Sequence, residues 1–330
     1  MFHVLKNNPD WAGTASIQNL KQRAAFLKAT RQFFDERGLV EVDTPLLCRG
    51  VATDPCLHAF SFNDNFTSEK RFLQTSPEFA MKRLLAANSG PIYYLGKAFR
   101  QEEVGAKHNP EFTILEWYRP NWDHYQLISE VDSLFQTLLQ TKPAVLTTYK
   151  ALFETHFSMQ PHYTTAKKCQ EIAQEKGWIA YGELSTLDVD GWLDFLFTKG
   201  IEPHLGHEAP VVVMDYPASQ ASLAKIKTIA ADPEYQVADR FEFYYKGFEL
   251  ANGYHELTCP IEQIQRFETD MLKRKILGLP MLPIDKSLIA AMEFGLPDCA
   301  GVALGFDRLL MLKLGEGHIE TVLPFAWQTA

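Results

Sequence analysis

The sequence predicts an α+β protein whose strands form a mainly antiparallel sheet flanked by helices. Two hairpins and a pair of amphipathic helices carry that expectation. Tyr93 to Arg100 and Glu111 to Arg119 are rich in aromatic and β-favouring residues and flank a polar loop with Gly105, His108, Asn109 and Pro110, so they read as two arms of a long-looped hairpin. Arg240 to Thr258 reads as a second hairpin turning at Lys246-Gly247, and the helical patterns at 17–37 and 123–140 supply flanking layers. With 330 residues and 46% hydrophobic content, a sizeable core is available. One domain over 1–330 is expected, with a mainly helical insertion at about 141–210.

Taken in order, Ile17 to Arg37 places Leu20, Ala24, Leu27 and Phe34 on one face and ends at Gly38, a good residue just past a helix. Leu39 to Val42 is a short strand that Pro45 stops. Leu57 to Phe62 and Arg71 to Gln74 read as strands separated by a polar tip. Ser76-Pro77-Glu78 opens a helix to about Ala87, with Ser76 as N-cap and Pro77 in the first position. Val211 to Asp215 is a strand, Pro217 to Gln220 a turn, and Ile261 to Leu277 and Ile284 to Phe294 are helical. Ala300 to Leu310 runs from a strand into a helix.

Composition narrows the function. A formal charge of −9 disfavours a protein whose main task is gripping nucleic acid, because phosphate neutralisation by Lys and Arg supplies most of that affinity. No apolar stretch approaches membrane-span length and the N-terminus lacks the pattern of a secretory signal, so a soluble, cytoplasmic protein is expected. Cys48, Cys56, Cys169, Cys259 and Cys299 are scattered with no C-x-x-C pair, which reads as reduced thiols. His204 and His207 have a metal-compatible spacing but read as a solvated pair.

The residues with chemical potential gather in a few stretches. Alternation along Glu111 to Arg119 puts Phe112, Ile114, Glu116 and Tyr118 on one face, which is either a wet rim or the floor of a polar site. Arg100 and Glu102 share a parity near His108 and Asn109, a set suited to phosphate and a purine. Glu78 either complements a helix dipole or faces a ligand. Glu242 and Glu249 fall on one face as diagonal neighbours, where a cation would relieve their repulsion; paired hard oxygens suit Mg²⁺. Asn252, Tyr254 and Glu256 have the opposite parity to Glu249, and a bulge around Asn252-Gly253 would bring them together. Gly301, Ala303 and Gly305 leave one strand face nearly bare, and Arg308 in the first turn of the following helix is explained by a negative ligand. There is no Walker or G-x-G-x-x-G motif.

Together these stretches resemble the signature regions of class II aminoacyl-tRNA synthetases, in detail the lysine-specific branch. The first helix with Gly38 and Pro45 is similar to motif 1, FRQEE and HNPEFTILEWY to motif 2, and GVALGFDR to motif 3. ELANGYHEL resembles the lysine-binding strand and TSPEFAMKRL the amino-acid loop. The resemblance runs from about Leu20 to Gly315. It implies that ATP is bound by Arg100, Gln101, Glu102, Asn109, Phe112, Glu249, Leu250, Gly305 and Arg308, with Arg100 and Arg308 also catalytic through charge neutralisation. It implies Mg²⁺ at Glu242 and Glu249, and an amino-acid substrate against Ser76, Pro77, Glu78, Glu116, Tyr118, Asn252, Tyr254, Glu256 and Ala303. Motif 1 implies a homodimer.

Two departures separate this sequence from lysyl-tRNA synthetases. Only a short segment precedes the first helix where they carry an anticodon-reading OB-fold, so anticodon-type tRNA binding is not expected. Ala303 stands where they have glycine. Both resemble a free-standing offshoot of the branch that activates (R)-β-lysine and attaches it to a lysine of elongation factor P. The competing expectations are a truncated lysyl-tRNA synthetase charging tRNA with α-lysine, a catalytically silent paralogue, and an amide synthetase using ammonia. The last would not need paired acids for a diamine.

Overall fold

The computed structural model describes residues 11–101, 104–180, 187–229 and 235–330. In chain order the elements are α1 (Ile17–Asp35), β1 (Val40–Glu41), β2 (Leu47–Cys48), β3 (Ser61–Asn63), β4 (Lys70–Leu73), α2 (Glu78–Ala86), β5 (Ile92–Phe99) and β6 (Glu111–Pro120). There follow α3 (His124–Leu139), β7 (Val145–Thr148), α4 (Tyr149–Phe157), α5 (Ala166–Glu175), α6 (Val189–Gly200), β8 (Val211–Pro217), β9 (Ile226–Thr228), β10 (Gln236–Tyr245) and β11 (Phe248–His255). The chain closes with α7 (Pro260–Ile276), α8 (Lys286–Gly295), β12 (Cys299–Gly305) and α9 (Phe306–Leu314). The content is mixed α and β with mostly antiparallel pairing, as the sequence predicts. The chain falls into two compact units, one of residues 1–118, 259–297 and 304–330 and the other of 119–258 and 298–303.

In the first unit β5 and β6 form the long-looped hairpin, with Tyr94 opposite Glu116 and Leu95 opposite Leu115. β1 adds to β5 in parallel, and β2, β4 and β3 make a small antiparallel sheet. Phe34 of α1 stacks on Tyr93 with centroids 4.7 Å apart and meets Trp117 edge-on at 5.1 Å. Each such aromatic pair adds about 0.5–1.5 kcal/mol beyond the area it buries. A polar network ties α1 to the last helix: Arg23 bonds Asp307 at 2.6 Å and Thr113 Oγ1 at 2.7 Å, and Thr113 N donates to Asp307 at 2.6 Å. All three residues are buried.

The expected strand at Leu57 to Phe62 shortens to β3. Asp54 takes the Cys56 amide on its side chain and the Leu57 amide on its carbonyl, so those groups close a turn instead of pairing across a sheet. Helix α2 starts one residue later than expected, at Glu78, whose amide is capped by Ser76 Oγ at 3.1 Å.

In the second unit β10 is central, antiparallel to β8, β9 and β11, with β7 parallel to β8. β12 lies beside β11. Helix α3 carries a full capping box, Asp123 accepting from Gln126 N while Gln126 caps the Asp123 amide, and packs Phe135 on Phe243 at 5.2 Å. The described residues of 141–210 are mainly helical with β7 among them; Tyr149, Phe153, Trp192, Leu196 and Phe197 join a core that includes Tyr216 and Tyr244. His207 Nε2 meets the Pro203 carbonyl and His204 stacks near His156, so the two histidines have separate partners.

The turn at Lys246-Gly247 has φ of 52° and 70°, the left-handed pair of a two-residue hairpin, with Tyr245 opposite Phe248 and Tyr244 opposite Glu249 as expected. The bulge is earlier than expected. Register passes from Tyr244↔Glu249 to Phe243↔Ala251, so Leu250 is the extra residue, not Asn252 or Gly253. Gly253 has another purpose: a Cβ there would lie 2.3 Å from Phe241 Cζ and 2.9 Å from the Gly301 carbonyl.

Candidate active site

In the first unit, the start of α2 and strand β6 hold a buried carboxylate. Glu116 is 2% exposed; one oxygen accepts from Ser76 Oγ and the other from Tyr118 Oη, each at 2.8 Å. The Glu116–Tyr118 bond reflects the strand alternation that puts i and i+2 on one face. Glu78 pairs with the buried ammonium of Lys82, one helical turn on, at 2.7 Å. Pro77 is buried beside them. A cavity of about 280 Å³ is lined by Ser76, Pro77 and Glu78, and also by Cys48, Arg83 and Asp285, which sequence reasoning missed. Burial pushes the Cys48 thiol up to about 11; Asp285 adds to this and Arg83 opposes it.

Arg100 leaves the end of β5 with its guanidinium 5.1 Å from the centre of the Phe112 ring and Nε 3.4 Å from the Thr75 carbonyl. The hairpin thus brings Arg100, Phe112 and the residue before Ser76 together. Arg308, in the first turn of α9, donates to His108 Nε2 and to the Lys107 carbonyl. Gly305 caps α9, and a Cβ there would sit 3.4 Å from Arg308 Cδ. Asn109 is buried: its amide donates to the Glu111 carbonyl at 2.6 Å and its oxygen accepts from Trp327 N at 2.9 Å. Gln101 is exposed and its backbone N bonds the His58 carbonyl. Glu102 lies outside the described residues.

In the second unit Glu242, 5% exposed, is the hub of a dense network. Arg240 and Asn252 donate to Oε1; Tyr216 and Tyr244 donate to Oε2. Burial and then the Glu242 charge raise both phenols well above their usual range, and the same carboxylate raises Arg240 against the opposing effect of burial. Four donors satisfy Glu242 within the protein, so a cation would have to displace one of them. Glu249, half-buried opposite Tyr244, offers a second carboxylate on that face. The bulge at Leu250 achieves what was expected of one two residues later, since Asn252 now pairs with Glu242 across the strands. Asn252 Nδ2 is spent on Glu242, but its Oδ1 is buried with no hydrogen-bond partner, an acceptor poised for a donor. Leu250 is buried, Tyr254 pairs opposite Arg240, and Glu256 is 1% exposed with its amide on the Cys299 carbonyl. Ala303 is half-buried on β12.

Strand alternation could have marked Arg240 and Tyr244 as companions of Glu242, since they flank it at i±2. Tyr216, on β8, had no such signal.

The family model for class II tRNA synthetases (D, K and N) matches residues 7–329. The chain belongs to that family. Within this class II synthetase group it is 50% identical over 329 residues to the elongation factor P--(R)-beta-lysine ligase of Vibrio cholerae serotype O1, covering 98% of this chain and 99% of the relative. Proteins of the same name from Pasteurella multocida and Salmonella dublin are each 47% identical, over 97% and 96% of this chain and 98% and 97% of theirs. Class II membership accords with the antiparallel strands and with the motif stretches on β5, β6, β12 and α9. Among the described residues, no helix is long and apolar enough to cross a membrane.

Proposed function

We propose that this chain is an ATP-dependent ligase that activates (R)-β-lysine as an aminoacyl-adenylate and transfers it to the ε-amine of a lysine on elongation factor P. The observation that carries the substrate class is the buried, unpartnered Asn252 Oδ1 on β11, the strand that the buried Glu256 directly follows. A buried acceptor without a donor, close in sequence to a buried carboxylate, suits a ligand that brings ammonium donors. The names of the relatives support the reading.

In the first step a substrate carboxylate oxygen attacks the α-phosphorus of ATP and pyrophosphate leaves. In the second, the lysine amine attacks the acyl carbon, AMP leaves and the amine sheds its proton. Arg100 would neutralise charge at the α-phosphate and Arg308 at the terminal phosphate. Arg308 would have to exchange its His108 contact for the nucleotide, and Arg100 its place over the Phe112 ring for the adenine. The attacking carboxylate is already ionised, so positioning and charge neutralisation suffice without a strong base. Mg²⁺ would be held by Glu249, with Glu242 joining after giving up one donor; the ion would neutralise phosphate charge. The family resemblance assigns amino-acid binding to Glu78 and Glu116 and to Asn252, Tyr254 and Glu256. A cytoplasmic homodimer through α1 accords with the motif 1 resemblance.

The experiment is ATP–pyrophosphate exchange with (R)-β-lysine beside α-lysine, followed by mass measurement of elongation factor P incubated with protein, ATP and β-lysine. The expected result is faster exchange with β-lysine and a mass gain of one lysyl residue. Exchange with α-lysine alone would favour a tRNA-charging enzyme. No exchange with any amino acid would leave a silent paralogue.

A further inference from the structure

We propose that His124, Asp239 and His255, all in the second unit, form a binding site for one divalent first-row transition ion, with Zn²⁺ as the occupant. Their ligand atoms all lie within 4.8 Å of one another. His124 Nε2 is 3.9 Å from one Asp239 oxygen and His255 Nδ1 is 3.7 Å from the other. Tetrahedral zinc with bonds of about 2.0–2.2 Å needs donors closer together than that, so the side chains would have to turn inward to complete the set. Two imidazoles and one carboxylate select zinc or its neighbours over Mg²⁺ or Ca²⁺, which take oxygen ligands.

His124 supplies the independent observation. It is 3% exposed, and neither ring nitrogen has a hydrogen-bond partner. Buried polar groups are nearly always paired, and an ordinary core histidine bonds at least one nitrogen. His255 adds a feature of metal-binding histidines. Its far nitrogen Nε2 meets Asp298 at 2.8 Å, an outer carboxylate that orients the ring with Nδ1 facing Asp239 at 3.7 Å.

The charged groups around the cluster are consistent with exchange of a cation. Lys227 Nζ lies 2.9 Å from Asp239 and 3.0 Å from Asp215, so it keeps a carboxylate partner when the ion takes Asp239. Lys225 pairs with Asp298 and stands 3.1 Å from His255 Nε2. The ligands come from the first residue of α3, from β10 and from the end of β11, so the ion would staple the helix start to the strands.

The test uses the full-length protein, treated with chelator and then titrated with Zn²⁺ against a chromophoric competitor. Co²⁺ substitution reports the ligand set through its visible spectrum. One equivalent is expected to bind to wild type. Binding should be lost in His124→Ala and weakened about 10- to 100-fold in Asp298→Asn. Lys227→Met removes the competing ammonium and should tighten binding, a result that stands even if His124→Ala fails to fold. His156→Ala/His204→Ala, which alters the other close histidine pair in this unit, should bind normally. No bound equivalent in wild type overturns the proposal. So does undiminished affinity in folded His124→Ala, unchanged or weaker binding in Lys227→Met, or loss confined to the His156/His204 variant.

Discussion

At the scale of single residues, carboxylates that look alike in the sequence meet different fates in the fold. Glu242 is satisfied by four protein donors, Glu78 by one lysine, and Glu116 by two hydroxyls from its own unit. Only alternation was legible beforehand, and it correctly put Glu116 with Tyr118. The partners from distant elements were not, because nothing local in the chain sets the pairing of Tyr216 with Glu242. Ala303 invites a direct test: Ala303→Gly should shift the ratio of β-lysine to α-lysine exchange toward α-lysine by about tenfold, the range one methyl group commands in a tight pocket. Unchanged selectivity would remove Ala303 from the specificity account. Cys48 makes a second prediction. With its thiol raised to about 11, its thiolate is scarce at pH 8, so iodoacetamide should modify it at least about tenfold more slowly than the exposed Cys56 and Cys259. Peptide mass mapping over time measures this.

At the scale of elements, the hairpin β10–β11 shows where sequence reading succeeds and where it stops. The turn followed from Lys246-Gly247, and with it the pairing of Tyr244 with Glu249. The need for one extra residue followed from parity. Its position did not, since a bulge at 250 or at 252 has the same effect on everything downstream. Helix ends behave similarly. Gln140 caps α3 at φ 61°, a left-handed conformation that costs a side chain, so Gln140→Gly should raise stability by about 0.5–1 kcal/mol in urea unfolding. The Arg23–Asp307–Thr113 network had no sequence signature, as its members are scattered from the first helix to the last. Arg23→Met would strand Asp307 without its cation in a buried site. A loss of about 3–5 kcal/mol is expected in denaturant melts, and a loss below 1 kcal/mol would mean that solvent reaches Asp307.

At the scale of the whole molecule, the class II architecture was legible because five motif stretches occur in order, each on an element type that suits it. The division into two compact units was not, since strands and helices of both kinds interleave along the chain. Net charge is a property of the entire surface and was legible from the outset. At −9 the protein should show no saturable binding to labelled tRNA by fluorescence anisotropy at physiological salt. Tight binding with a steep salt dependence would return tRNA to the list of substrates.

Gly253 sets a practical boundary for anyone wishing to retune the amino acid this protein accepts. Its missing side chain is the clearance between Phe241 and the Gly301 carbonyl, so even a methyl group there would force neighbouring backbone apart. Libraries aimed at new substrates should therefore diversify Asn252 and Tyr254 on either side and leave the glycine between them fixed. Variants recovered with that glycine changed should carry a compensating reduction at Phe241.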